Sequence, residues 1–155
     1  MGYTHYFPGL RVTAEVLADA GKIIDASAMT ICGPNGQGLP VMNETKGIRL
    51  NGFKAAGESY ETFHLRGIDA PGYPGMNDSC KTENQPYDQV VTAILIAAAV
   101  RAFDFRTGVV KSDGRWDNWA AGMHLYERAV RLLTDQEKLA LELDLEGMRP
   151  DPFQD

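Results

Sequence analysis

The stretch that most constrains this chain is "VVTAILIAAAV", Val90–Val100. None of these residues is charged, and Thr92 carries the only hydroxyl. A membrane-spanning helix needs about 20 apolar residues, so this run is too short to cross a bilayer. It reads as a helix that is apolar nearly all round, and such a helix has to be buried on every side. The flanking sequence "CKTENQPYDQVVTAILIAAAVRAF" leads into it, with Pro86 suited to the first turn, where a missing N–H costs nothing. The rest of the chain must supply the covering layers. With 155 residues, 44% of them hydrophobic, it has enough material to do so in one domain.

The covering elements can be read in order. "GYTHYF" is aromatic-rich and stops at Pro8-Gly9, as a short strand would. Alternation puts Tyr3, His5 and Phe7 on one face, and Thr4 and Tyr6 on the other. Val12, Val16, Ala20, Ile23 and Ile24 recur at helical spacing, which predicts a helix from Val12 to Asp25 with Gly21 as its weak point. "AMTICG" reads as a strand, closed by the loop "GPNGQGLP". That loop is glycine-rich but lacks the lysine of a phosphate-binding loop, so it is read as a connection.

"GIRLNG" and "SYETFHLR", joined by "FKAAGE", predict two neighbouring antiparallel strands. The second places Glu61, Phe63 and Leu65 on one face and Tyr60, Thr62, His64 and Arg66 on the other. A carboxylate on an apolar face either lies at the sheet margin or is buried with a partner. "GIDAPGYPGMNDS" is a surface loop, "GVVKSDG" a short strand and turn, and "RWDNWAAGMHLYERAVRLL" an amphipathic helix. In the tail, "TDQE" offers a capping box, whereas Leu139, Leu141, Leu143 and Leu145 alternate as in a strand. The helix is preferred there, and "RPDPFQD" is expected to be loose.

This order predicts an α+β fold, with helices on one face of a largely antiparallel sheet, as in a ferredoxin-like variant with an added strand. Residues 1–133 are expected to form one domain. Residues 134–155 form a C-terminal extension suited to an oligomer contact.

A net charge of -6 argues against a nucleic-acid polymer as partner. Cys32 and Cys80 are too few for a disulfide framework, and no leader-like segment opens the sequence. The expected compartment is the cytoplasm.

Chemistry concentrates around "CKTENQPYD". A helix N-terminus offers unpaired N–H groups and partial positive charge; Lys81 adds a cation and Thr82 a hydroxyl. These make a seat for phosphate or carboxylate. Asp88 competes, because an acid in the first turn complements the helix dipole itself, and an ordinary capped helix is the plainer reading.

No two of His5, His64 and His124 stand three or four apart. A site from His5, His64 and Glu61 is disfavoured because alternation sends His64 and Glu61 to opposite faces, so no metal or cofactor is assigned. Cys80 or Ser112 would need a histidine within hydrogen-bond reach to act as a nucleophile, and neither sits in a recognisable motif. "KSDG" is explained as a turn, with Asp113 as a ligand contact the sharper reading. Tyr6 and Tyr87 are the aromatics best placed to serve a ligand.

"MGYTHYF", "LNG" with "GESYETFHL", "CKTENQPYDQVVTAIL" and "SDGRWDNW", in that order, resemble a family of small bacteriophage and prophage proteins. The similarity runs from residue 1 to about residue 128, and the tail from about Leu132 is extra. The resemblance implies an intracellular phage context and carries no activity with it. It marks His5, Tyr6, Glu61, Thr62, Lys81, Thr82, Tyr87, Asp88 and Asp113 as motif positions. Glu83 and Asn84 stand where a more basic loop is expected, which lowers the local positive charge.

The leading expectation is a homo-oligomeric protein that sequesters a small anionic, nucleotide-derived ligand, such as a signal of a bacterial defence system. The alternatives are a small phosphoesterase or hydrolase using Glu61 or Asp113 with His5, and an inhibitor that binds a host protein. The binding reading expects His5, Lys81, Tyr87 and Asp113 to converge on one cleft.

Overall fold

The computed structural model describes residues 3–67, 78–102 and 110–146. Most of the loop "GIDAPGYPGMNDS" and the final "RPDPFQD" lie outside the described residues.

The apolar run forms α2, Asp88–Ala102, and every residue from Val90 to Ala99 is buried. Its cover comes from α1 (Ala14–Ala26), α3 (Ala120–Ala129) and α4 (Asp135–Leu145), all packed against it. Helix α1 begins two residues later than expected because Thr13 is its cap, its side chain accepting from the Val16 N–H. Val12 is left outside, with its N–H donating to the Arg66 carbonyl. Pro86 stands two residues ahead of α2, in the turn that brings the Val91 N–H onto the Tyr87 carbonyl.

Ahead of α3, Trp116–Trp119 form a tighter 3₁₀ turn. The tail resolves as helix: Thr134 caps α4 from the Glu137 N–H, and the Glu137 side chain accepts from the Thr134 N–H. Leu133, Leu141 and Leu145 are buried in the same core as α2, so α4 packs onto the body of the protein.

The α+β class stands, but among the described residues the strands divide between two three-stranded antiparallel sheets rather than one ferredoxin-like sheet. The first runs β5–β1–β6, from Ser79–Lys81, Thr4–Tyr6 and Lys111–Ser112. The second runs β2–β3–β4, from Val41–Asn43, Gly47–Leu50 and Phe63–Leu65. "AMTICG" contributes only an isolated pairing of Cys32 with Asn51. Gly33 then turns sharply, its N–H donating to the Gln37 and Gly38 carbonyls, and the ladder cannot continue. Phe7 and Phe63, with ring centroids 5.4 Å apart, join the two sheets inside the core.

Glu61 settles at the margin. It precedes β4, is exposed, and its carboxylate accepts from the Lys81 N–H at 2.8 Å while its own N–H donates to the Lys81 carbonyl. The alternation through Phe63 and Leu65 therefore does not extend back to it, and Glu61 ties the start of β4 to β5 from outside the core.

Candidate functional site

The centre of the first sheet is one rung deep. Antiparallel register sets His5 opposite Cys80 on one side and opposite Ser112 on the other. Residues paired in this way project to the same face, so His5, Cys80 and Ser112 point inward together. Two-residue alternation carries Tyr3, Phe7 and Thr82 to that face as well. His5, Cys80 and Thr82 are fully buried, whereas Tyr6, across the pleat, is 42% exposed. The faces of β1 fall as its alternation predicts.

The first residue of α2, Asp88, reaches this rung from below. His5 Nε2 donates to Asp88 Oδ1 at 2.6 Å, and the Thr82 hydroxyl donates to the same oxygen at 2.6 Å. With the proton on Nε2, His5 Nδ1 is an acceptor, and the Ser112 hydroxyl lies 2.8 Å from it. Ser112 Oγ in turn accepts from the Gly114 N–H at 2.9 Å. One chain thus runs Ser112–His5–Asp88–Thr82, and each member has its partners. Tyr3 and Trp119 each meet the imidazole in an edge-to-face contact, with ring centroids 5.1 Å away.

Ser112 is the half-buried end of this chain. With Asp113, Gly114 and Arg115 from the turn after β6, and Leu145 and Glu146 from the end of α4, it lines a cavity of about 380 Å³. The cavity is an open depression in the surface rather than an enclosed chamber. Arg115 and Glu146 approach to 3.8 Å across it. Asp113 is exposed, and its carboxylate accepts from the Thr4 N–H at 3.0 Å.

The nine motif positions fall into three groups. His5, Thr82 and Asp88 converge on the buried chain. Tyr6 and Lys81 lie on the opposite, outer face of the same sheet, and Glu61 borders it. Tyr87, Thr62 and Asp113 serve other contacts. The Tyr87 hydroxyl donates to the Glu61 carbonyl at 2.6 Å, and Tyr87 is 1% exposed, so it anchors the core. Burial, then the neighbouring Cys80, raises its ionisation well above that of a free tyrosine. Thr62 accepts from the Asn35 N–H at 2.9 Å and holds the glycine-rich loop against β4.

His5, Lys81, Tyr87 and Asp113 therefore do not meet in one cleft. The helix N-terminus expected to seat an anion already holds the Asp88 carboxylate. His64 lies on the second sheet beside Arg49, apart from His5, with its ionisation lowered by burial first. Among the described residues no group of three His, Cys, Asp or Glu side chains is arranged to hold a metal ion. Cys80 is buried, and burial followed by Glu61 pushes its thiol up to about 12, which keeps it from acting as a thiolate.

Ser112 joins the site through long-range strand pairing and Trp119 through the packing of its ring against His5, whereas Tyr3 follows from the alternation of β1. His5 and Ser112 are 107 residues apart, and their meeting depends on a strand register that no local motif announces.

Among the described residues no helix is long and apolar enough to cross a membrane. No family model, curated protein or solved structure matches the chain.

Proposed function

We propose that this protein is a small serine hydrolase in which Ser112 is the nucleophile, His5 its base and Asp88 the group that orients the imidazole. The single observation that carries this reading is the Ser112–His5–Asp88 chain, at 2.8 Å and 2.6 Å, ending on a cavity. A serine hydroxyl becomes nucleophilic when a neutral imidazole takes its proton, and the imidazole is held in the right tautomer by a carboxylate on its other nitrogen. Here Nδ1 faces the serine and Nε2 the carboxylate; the logic depends on roles and geometry rather than on which nitrogen does which. Thr82 holds Asp88 from behind, as the supporting shell of such a site requires.

In the step this geometry supports, Ser112 Oγ attacks an acyl carbon and its proton passes to His5 Nδ1. The same proton then goes to the leaving oxygen. Water repeats the sequence to free Ser112. Turnover of p-nitrophenyl acetate by the purified protein, with Ser112→Ala as the control, tests the reading. The expected loss is on the order of 1000-fold or more. Equal rates for both proteins, each confirmed folded by circular dichroism, would overturn it.

A second reading, sequestration of a nucleotide-derived anion, is favoured by a different face. On the outer side of the first sheet Tyr6 stands opposite Lys111 and Lys81 stands opposite Thr4, which sets an aromatic ring among cations. That arrangement suits a planar anion. Calorimetric titration with cyclic and ADP-ribose-type nucleotides, on wild type and Lys81→Ala, separates the two readings. Binding weakened by Lys81→Ala supports the second; no binding, or binding unaffected by it, counts against it.

A further inference from the structure

A serine nucleophile needs a hydrogen-bond donor for the oxyanion that forms at the acyl group. The three amides that follow Ser112 are engaged. The Asp113 N–H donates to the Thr4 carbonyl, the Gly114 N–H to Ser112 Oγ, and the Arg115 N–H to Asn118 Oδ1. The first of these bonds fixes the direction of the amide before it. Antiparallel partners alternate between hydrogen-bonded and non-hydrogen-bonded pairs, so successive residues aim their backbone groups at opposite sides of the strand. Asp113 aims its N–H at β1, and Ser112 therefore aims its N–H away from β1. His5 and Ser112 form the non-hydrogen-bonded kind of pair, the closer of the two, which lets their side chains meet at 2.8 Å. β6 is the last strand of its sheet, so the Ser112 N–H points off an open edge. No described residue accepts a hydrogen bond from it. Ser112 also lines the cavity, together with Leu145 and Glu146 from the end of α4.

Resting on the serine-hydrolase reading above, we infer that the backbone N–H of Ser112 itself is the oxyanion donor of this site. Ser112 Oγ bonds to the carbonyl carbon, the π pair of the C=O moves onto its oxygen, and the serine proton passes to His5 Nδ1. The new oxyanion accepts from the Ser112 N–H, the free donor nearest in the chain to the attacking oxygen. When the intermediate collapses, the C=O re-forms, the bond to the leaving oxygen breaks, and that oxygen takes the proton from Nδ1. A donor on the nucleophile's own backbone is held by the strand pairing that also sets Oγ against His5, so it needs no reorganisation as charge develops. The same pairing explains why this amide is available: within the ladder its neighbour at 113 is consumed and position 112 is left over. Nucleophile and donor are thus two consequences of one register.

Amide hydrogen exchange and chemical shifts, read by NMR on the full ¹⁵N-labelled chain, test this without altering the backbone. Trifluoroacetophenone serves as probe, because its carbonyl adds an activated serine and stops at the tetrahedral oxyanion; its fluorine resonance reports the adduct, and Ser112→Ala is the control. In the free protein the Ser112 N–H should exchange much faster than the Asp113 N–H. In the adduct it should gain at least about tenfold protection, as a hydrogen bond to a charged acceptor gives, and move downfield further than the amides of Asp113, Gly114 and Arg115. If the Ser112 N–H of the free protein is as protected as that of Asp113, it is already bonded and the inference fails. If an adduct forms in wild type and not in Ser112→Ala, yet the Ser112 amide neither shifts nor gains protection, the oxyanion role fails and the nucleophile stands. If no adduct depends on Ser112, the hydrolase reading falls and this inference with it.

Discussion

Asp88→Ala is the perturbation whose consequence the structure defines most closely. In the folded protein Asp88 Oδ1 accepts from His5 Nε2 and from the Thr82 hydroxyl, each at 2.6 Å, and both donors are 0% exposed. Removing the carboxylate leaves two donors with no acceptor. Each buried unsatisfied donor costs about 1–3 kcal/mol. Loss of an acid at the positive end of α2 adds about 0.5–1 kcal/mol. The expected destabilisation is therefore about 2.5–7 kcal/mol, a large fraction of the roughly 5–15 kcal/mol that holds a domain folded.

The same argument predicts a coupling. Thr82→Val in the wild type removes one hydrogen bond and should cost about 1 kcal/mol. In the Asp88→Ala background the hydroxyl is already an orphan, so its removal should be neutral or stabilising. Urea unfolding followed by circular dichroism, on wild type, both single variants and the double, measures all four corners of this cycle. A cost below about 1 kcal/mol for Asp88→Ala, or the same Thr82→Val cost in both backgrounds, would refute the reasoning.

Two further expectations lie away from the site. Gly122 lets α3 lie against α2, and a Cβ there would run into the Thr92 hydroxyl and come within 2.8 Å of its Cβ; Gly122→Ala should cost about 1–3 kcal/mol, less in a Thr92→Ala background, as read by urea midpoints. Glu137 is held from its ordinary 4.5 down to about 2, first by Arg131 and then, against the opposing effect of burial, by the Thr134 backbone N–H. A carboxylate with a depressed folded pKa stabilises fully above its unfolded value and loses that contribution as pH falls through the folded one. Wild type should therefore be more stable than Glu137→Gln at pH 6, with the gap closing between about 4.5 and 2; a gap that does not change with pH contradicts the assignment.

Much of this fold is legible because it is local. The all-apolar run had one outcome open to it. Thr134 and Glu137 announce the start of α4, and the two-residue period of "THY" sorts the faces of β1. The division into two sheets is not legible, because short strands of two to four residues carry no signal of which neighbour they pair with. Alternation carries Glu61 to an apolar face only if the strand reaches back past Phe63; β4 begins at Phe63, and Glu61 takes the sheet margin, one of the two places open to it. At the site, His5, Thr82 and Asp88 stood out as polar residues within motifs.

Ser112 is a candidate from the sequence only on condition of a nearby histidine; "KSDG" is a sufficient turn on its own, and the partner comes only from lying opposite His5 in register. At the start of α2 the sequence offers both an anion seat and Asp88 as its competitor, and local spacing alone does not decide between them. The burial of Asp88 at that end, shared by two donors, is a tertiary fact.

The central claim is that Ser112 is an activated nucleophile, and covalent labelling tests it most directly. A fluorophosphonate loses fluoride to an activated serine and leaves a stable phosphonyl adduct that intact-mass and peptide mass spectrometry can locate. The account predicts a single adduct, mapped to Ser112, forming much more slowly in Asp88→Asn. No adduct on the folded protein, or labelling at other serines at a rate indifferent to Asp88, would contradict it.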